Sequence, residues 1–156
     1  MQVSYLRLLL KTMRPKQWVK NGVLFAALVF DRQMNPAHME AVIRTLAGFI
    51  IFCLLSGLVY IINDIADIEA DRKHPDKCKR PIASGALPVN VALVAAVILP
   101  LVILPVAYAL SPIFTLVGLV YLLLNLVYSK WIKHIVLLDV LSIAAFFVLR
   151  VAAGVV

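Results

Sequence analysis

Charge is scarce in this 156-residue chain, and acid is scarcer than base. Only 15% of the residues are Asp, Glu, Lys or Arg, and eight acids stand against fifteen Lys and Arg. There are two cysteines, Cys53 in an apolar run and Cys78 in a basic loop, which form neither a disulfide framework nor a metal-ligand spacing. No run reads as a cleavable leader, because Lys11, Arg14, Lys16 and Lys20 interrupt the first apolar segment. The remainder is apolar. Hydrophobic residues make up 63% of the chain and mean hydropathy is +1.00, whereas a soluble domain has roughly 45–50% apolar residues. The solvent implied is a lipid bilayer.

A net charge of +7 raises the question of nucleic acid, and the positions of the charges argue against it. They cluster at 7–20, 72–80 and 130–133, between apolar runs. A bilayer core of about 30 Å takes about 20 helical residues. Runs at about 41–62, 89–110, 113–128 and 135–156 read as spans, and 18–30 reads as a shorter, weaker one. Pro100 and Pro105 should kink the second of the long runs, which neighbouring helices can tolerate. Ser111-Pro112 should make a tight turn. With the N-terminus in the cytoplasm, segments 1–20, 63–88 and 129–134 hold five, five and two basic residues; Arg32 and Arg44 lie on the other side and Arg150 within a span. That asymmetry is the positive-inside pattern. The expectation is an all-α integral membrane bundle in a bacterial inner membrane, with the loop at 63–88 cytoplasmic. The chain stops at Ala-Gly-Val-Val within its fifth apolar run, so residues 1–156 are expected to be the N-terminal portion of one longer transmembrane domain.

The stretch NDIADIEADRKHPDKCKRPIASG, residues 63–85, departs most from this background. On a helix at about 100° per residue, Asn63, Asp67, Asp71 and Asp64 fall within roughly 100° of one another, while Glu69 points away. Like charges at helical neighbour spacing repel, and more strongly beside a low-dielectric bundle. A hard divalent cation relieves this, and Mg²⁺ favours carboxylate oxygens together with water or phosphate oxygens. Pro75 should end the helix. Lys77, Lys79 and Arg80 follow at once, as cations for the phosphate oxygens that the metal does not reach. Mixed-charge loops between spans are ordinarily just solvated; here the one-sided acid spacing followed directly by the basic run favours a Mg²⁺–phosphate site.

The same residues carry a family resemblance. Asn63-Asp64-x-x-Asp67-x-x-x-Asp71 with Arg80-Pro81-Ile82-Ala83-Ser84-Gly85 resembles the first aspartate-rich motif of the UbiA superfamily of intramembrane prenyltransferases. Arg14-Pro15-Lys16-Gln17-Trp18-Val19-Lys20-Asn21, His74-Pro75-x-Lys77-x-x-Arg80-Pro81 and Leu138-Asp139…Leu149-Arg150-x-x-x-Gly154 resemble its decaprenyl-phosphate phosphoribosyltransferase branch. The superfamily implies a bundle of about nine bilayer-spanning helices, of which about five fall in this chain, and a second acidic motif further on. The branch implies transfer of 5-phosphoribose from phosphoribosyl diphosphate to a polyprenyl phosphate, with release of diphosphate. It further implies Mg²⁺ on Asn63, Asp67 and Asp71, with Asp64 as another ligand or a support behind them, and Lys77 and Arg80 on phosphates. The three aspartates are the candidate catalytic residues. Without the second acidic motif, the 156 residues alone are expected to be inactive.

Other candidates have two readings each. Lys20 reaches a phosphate or snorkels to the interface; the resemblance favours the former, and less so for Asn21. Tyr128 and Lys133 lie near a diphosphate in the family, or form an aromatic belt and a positive-inside flank. His74 touches phosphate or caps a helix C-terminus. Asp139 and Arg150, about 16 Å apart along one helix face, are functional or hold the bundle together. Asn125 can hydrogen-bond a neighbouring helix. Two rival functions remain. One is a UbiA-type prenyltransferase with a polyprenyl diphosphate donor and an aromatic or glycerol-phosphate acceptor. The other is a cation-binding transporter component, which explains the basic run poorly.

Overall fold

The longest helix sets the geometry of this all-α integral membrane protein. A computed structural model describes residues 4–30, 36–130 and 136–155; the side chains of Pro36, Lys130, residues 136–139 and Val155 are not described. Seven α-helices are described: α1 (Tyr5–Thr12), α2 (Ala26–Phe30), α3 (Met39–Ala66), α4 (Ile68–Lys73), α5 (Val89–Leu110), α6 (Pro112–Lys130) and α7 (Val136–Val155). Helix α3 has 28 residues, or about 42 Å at 1.5 Å each. It is also the central helix: 56% of its apolar window is buried, against 28% for α6 and 11% for α5. Packing against α5, α6 and the N-terminal segment surrounds it with protein. Helix α5 instead turns Leu93, Val97, Leu101 and Val102 outward, which is the lipid-facing side of a membrane helix.

The turn between α5 and α6 follows from its sequence. Ser111 is extended, so it leaves α5, and Pro112 begins α6 where a missing N–H costs nothing. The Phe114 N–H donates to Ser111 Oγ at 3.2 Å, capping the new helix. Pro100 and Pro105 both lie inside α5, which remains one helix from Val89 to Leu110.

The first apolar run takes a different form from the membrane helix expected of it. Pro15–Phe25 is a 3₁₀ helix of 11 residues, followed by only five α-helical residues. Such runs seldom exceed four residues. This one is held by tertiary packing: Leu24 and Asn21 are buried against α3 and α7. The approach to α7 is close. A Cβ on Gly154 would meet the backbone carbonyl of Leu24, whereas one on Gly22 would meet nothing within 4 Å.

Two apolar clusters form the interior. In the first, Phe52 of α3 meets Tyr121 at 4.8 Å and Phe114 at 6.2 Å between ring centroids, and Tyr121 meets Phe146 of α7 at 5.8 Å. The second joins Met13, Ile61, Ile82, Leu87 and Ala92. It pins the loop after α4: Ile82 and Leu87 are plugs, the Leu87 N–H donates to the Pro81 carbonyl at 2.8 Å, and Gly85 takes φ +78°, which a side chain would resist. The loop is thereby anchored beside the end of α3.

Gly154→Ala should lower the stability of the detergent-solubilised protein by about 1–3 kcal/mol through overpacking, while Gly22→Ala should stay within about 0.5 kcal/mol of wild type. Thermal unfolding of both variants checks this, and equal midpoints would contradict the close contact.

Candidate active site at the end of α3

Asp64 is the most constrained acid in the chain. It lies in the last turn of α3, is 2% exposed, and its Oδ1 accepts from two guanidinium groups: Arg14 Nη2 at 2.8 Å and Arg80 Nη1 at 3.2 Å. The same Arg80 nitrogen donates to Asp71 Oδ2 at 2.6 Å, and Asp71 too is 2% exposed. A chain Arg14–Asp64–Arg80–Asp71 therefore ties three segments together. Burial of two carboxylates is tolerable because each has a charged partner.

Local backbone explains how the side chains meet. Helix α3 ends at Ala66, and Asp67 interrupts the helical dihedrals for one residue (φ −98°, ψ 12°) before α4 begins. The i→i+4 hydrogen bonds persist on both sides, with Asp67 N–H to the Asn63 carbonyl and Asp71 N–H to the Asp67 carbonyl. The single uninterrupted helix expected over 63–71 is thus two helices in near continuity. Helix α4 stops at Lys73, because His74 precedes Pro75 and is extended. Arg14 sits on a left-handed backbone (φ 52°, ψ 64°) between α1 and the 3₁₀ helix. That conformation is uncommon for a residue with a side chain. It brings the guanidinium over the Tyr60 ring, 4.5 Å from its centroid, and onto Asp64.

These groups wall a cavity of about 380 Å³ containing Asn63, Asp64, Asp67, Lys77, Arg80 and Tyr128, with Arg14 and Tyr60 beside them. Asp71 does not line it; its position is behind Arg80. His74 does not line it either: its Nδ1 accepts from the backbone N–H groups of Asp76 and Lys77, at 3.2 and 3.4 Å, which shapes the turn that presents Lys77. Lys20 lines a second cavity deeper in the bundle, which shares Tyr60, Asn63 and Tyr128 with the first. Asn21 is buried, with its amide between Ser56 Oγ (3.2 Å) and Cys53 Sγ (3.4 Å). Tyr128 packs edge-on against Phe146. Lys133 and His134 lie outside the described residues, as does the side chain of Asp139.

Asn63, Asp64 and Asp67 present oxygen donors to one cavity. Among the described residues no three His, Cys, Asp or Glu side chains converge into a cage. This is the donor set of a hard cation that shares its shell with a ligand's phosphates, not that of a closed all-protein site. The candidate that sequence reasoning passed over is Arg14. Its Arg-Pro pair was visible, but a residue before proline is ordinarily extended, so nothing in the sequence turned it toward Asp64.

The cleft of acids and bases at the end of a buried membrane helix is the candidate site of this integral membrane protein. The chain belongs to the UbiA prenyltransferase family, whose model matches residues 23–156. It is 36% identical over 146 residues to the "Decaprenyl-phosphate phosphoribosyltransferase" of Mycobacterium tuberculosis, covering 92% of this chain and 48% of the relative. The protein of the same name in Corynebacterium glutamicum is 35% identical over 149 residues, covering 94% and 45%. "Protoheme IX farnesyltransferase" of Bdellovibrio bacteriovorus is 35% identical over 101 residues, covering 64% and 34%. The chain spans about half the length of the two phosphoribosyltransferases.

Arg80→Gln leaves Asp71 buried without its cation and should cost about 3–5 kcal/mol. Arg14→Gln should cost less, since Asp64 keeps Arg80. A double-mutant cycle with Asp71→Asn, followed by denaturation in mild detergent, should return a favourable Arg80–Asp71 coupling of about 1–3 kcal/mol. Additive losses would refute the pairing.

Proposed function

We propose that this chain is part of an enzyme that transfers 5-phosphoribose from phosphoribosyl diphosphate to a polyprenyl phosphate, dependent on Mg²⁺. The observation that carries the reading is the cavity in which Asn63, Asp64 and Asp67 face Lys77 and Arg80. The names of the two phosphoribosyltransferase relatives support the donor and acceptor. In the reaction an oxygen of the lipid phosphate forms a bond to C1 of the ribose, and the bond from C1 to the diphosphate oxygen breaks. The diphosphate leaves with the bonding electron pair. Positive charge grows on the sugar and negative charge on the leaving group.

Asn63, Asp64 and Asp67 would hold Mg²⁺, which supplies charge neutralisation at the departing diphosphate. Lys77 and Arg80, which line the same cavity, donate to phosphate oxygens. Arg14 and Arg80 orient Asp64, and Asp71 holds Arg80 in place. The lipid phosphate is already anionic near neutral pH, so attack needs no strong base. Catalysis is then positioning and electrostatics. The basic residues flanking the apolar runs support an orientation with the N-terminus and the acid cleft on the cytoplasmic side, and the bacterial sources of the relatives support an inner membrane location.

The test uses the full-length protein in nanodiscs, with polyprenyl phosphate, Mg²⁺ and labelled phosphoribosyl diphosphate. Label should enter the lipid extract, disappear with EDTA, return with added Mg²⁺, and fall about 10²-fold or more in Asp67→Asn. Failure to label, together with turnover of a polyprenyl diphosphate, would move the protein to the prenyltransferase chemistry of its other relatives.

A further inference from the structure

The second cavity has a different electrostatic character from the first. It measures about 310 Å³ and lies between the 3₁₀ helix, α3, α6 and α7. Lys20 and Arg150 line it, and among the described residues no carboxylate does. Its walls include Tyr60, Tyr121, Phe146 and Phe147. Tyr121 is seven residues along α6 from Tyr128, so this cavity reaches about 10 Å deeper into the bundle than the acid cleft.

Arg150 is the unusual member. Its Nε donates to Asn21 Oδ1 at 2.9 Å, Nη1 to the Phe146 carbonyl at 3.1 Å, and Nη2 to Tyr121 Oη at 3.0 Å. The guanidinium carbon also lies 5.2 Å from the Tyr121 ring centroid. These partners are all neutral. They fix the direction of the guanidinium without neutralising it, and they use three of its five N–H donors. Asp139, eleven residues earlier on α7, is about 16 Å away along the axis. A cation held inside a membrane bundle by neutral groups is expensive. A purely structural tether needs hydrogen bonds only, which an uncharged side chain supplies at lower cost.

We infer that this inner cavity is a binding pocket for a phosphate monoester, with Arg150 as its fixed cation and Lys20 at its rim. The guanidinium fork matches phosphate oxygens, and the aromatic wall receives the group that the phosphate carries. Among the described residues the pocket has two cations and no carboxylate, so it suits a single phosphate better than a diphosphate that arrives with its metal. The assignment of its ligand rests on the proposed function, which brings two phosphate monoesters to this region: the head of the acceptor lipid and the 5-phosphate of the donor sugar.

The test is equilibrium binding to the full-length protein in nanodiscs, with geranyl phosphate, geraniol and ribose 5-phosphate as probes. At least one phosphate should bind the wild type, weaken 10-fold or more in Arg150→Gln, and recover in part in Arg150→Lys. Geraniol should show no such difference. Loss confined to geranyl phosphate assigns the pocket to the lipid head; loss confined to ribose 5-phosphate assigns it to the sugar. If Arg150→Gln does not fold, Lys20→Gln carries the same comparison, since Lys20 is exposed. Binding of both phosphates unchanged in these variants, or absent from the wild type, overturns the inference. Arg150-dependent phosphate binding without phosphoribose transfer would sink the proposed function alone. Transfer with unchanged KM for both substrates in Arg150→Gln would sink the pocket alone.

Discussion

A carboxylate buried at the end of a membrane helix must be paired, and the pairing of Asp64 organises this molecule. Its two partners arrive from opposite directions in the chain, Arg14 from the N-terminal segment and Arg80 from the loop after α4. Neither segment has a long helix of its own to hold it. Asp64 draws both onto α3, and the second apolar cluster beneath, with Met13, Ile61, Ile82 and Leu87, seals the arrangement from below. Asp71 then fixes the far side of Arg80. The charge network and the apolar plugs are complementary, because burial strengthens the ion pairs and the ion pairs make the burial of charge tolerable.

The outcome is a division of labour along α3. Its last turn carries oxygen donors on an open cleft that Arg14, Lys77 and Arg80 also line. One to two turns deeper, Ser56 and Tyr60 border a cavity whose charged lining among the described residues is Lys20 and Arg150. Asn63 and Tyr128 belong to both cavities. Two differently charged chambers meeting at shared residues support the proposed reaction, whose two anionic substrates must be brought together against their mutual repulsion.

The distance between sequence and structure varies by region. The all-α membrane class follows from composition, and the family from the spacing Asn63, Asp64, Asp67, Asp71 together with the Arg80-to-Gly85 run. Helical periodicity is local, so it places the acids on one helical face without knowledge of the rest of the chain. Trp18–Phe30 reads as a weak membrane helix because apolar content does not distinguish α from 3₁₀ geometry; the packing of Leu24 and Asn21 against α3 and α7 decides that. His74 reads as either a phosphate contact or a cap, and the hydrogen bonds to its Nδ1 put it in the turn.

The sequence by itself determined the solvent, the helical class and the cluster of charge at one end of a span, since each depends on residue type and on neighbours within a few positions. Tertiary structure alone decided which charges meet. Arg14 is 50 residues from Asp64, and Arg150 is 129 residues from Asn21. Contacts at such separations depend on how helices pack, and helix packing depends on the shapes of whole faces, of which Gly154 against Leu24 is one instance. No local pattern encodes that, so the partners of Arg14 and Arg150 became legible only once the chain was folded.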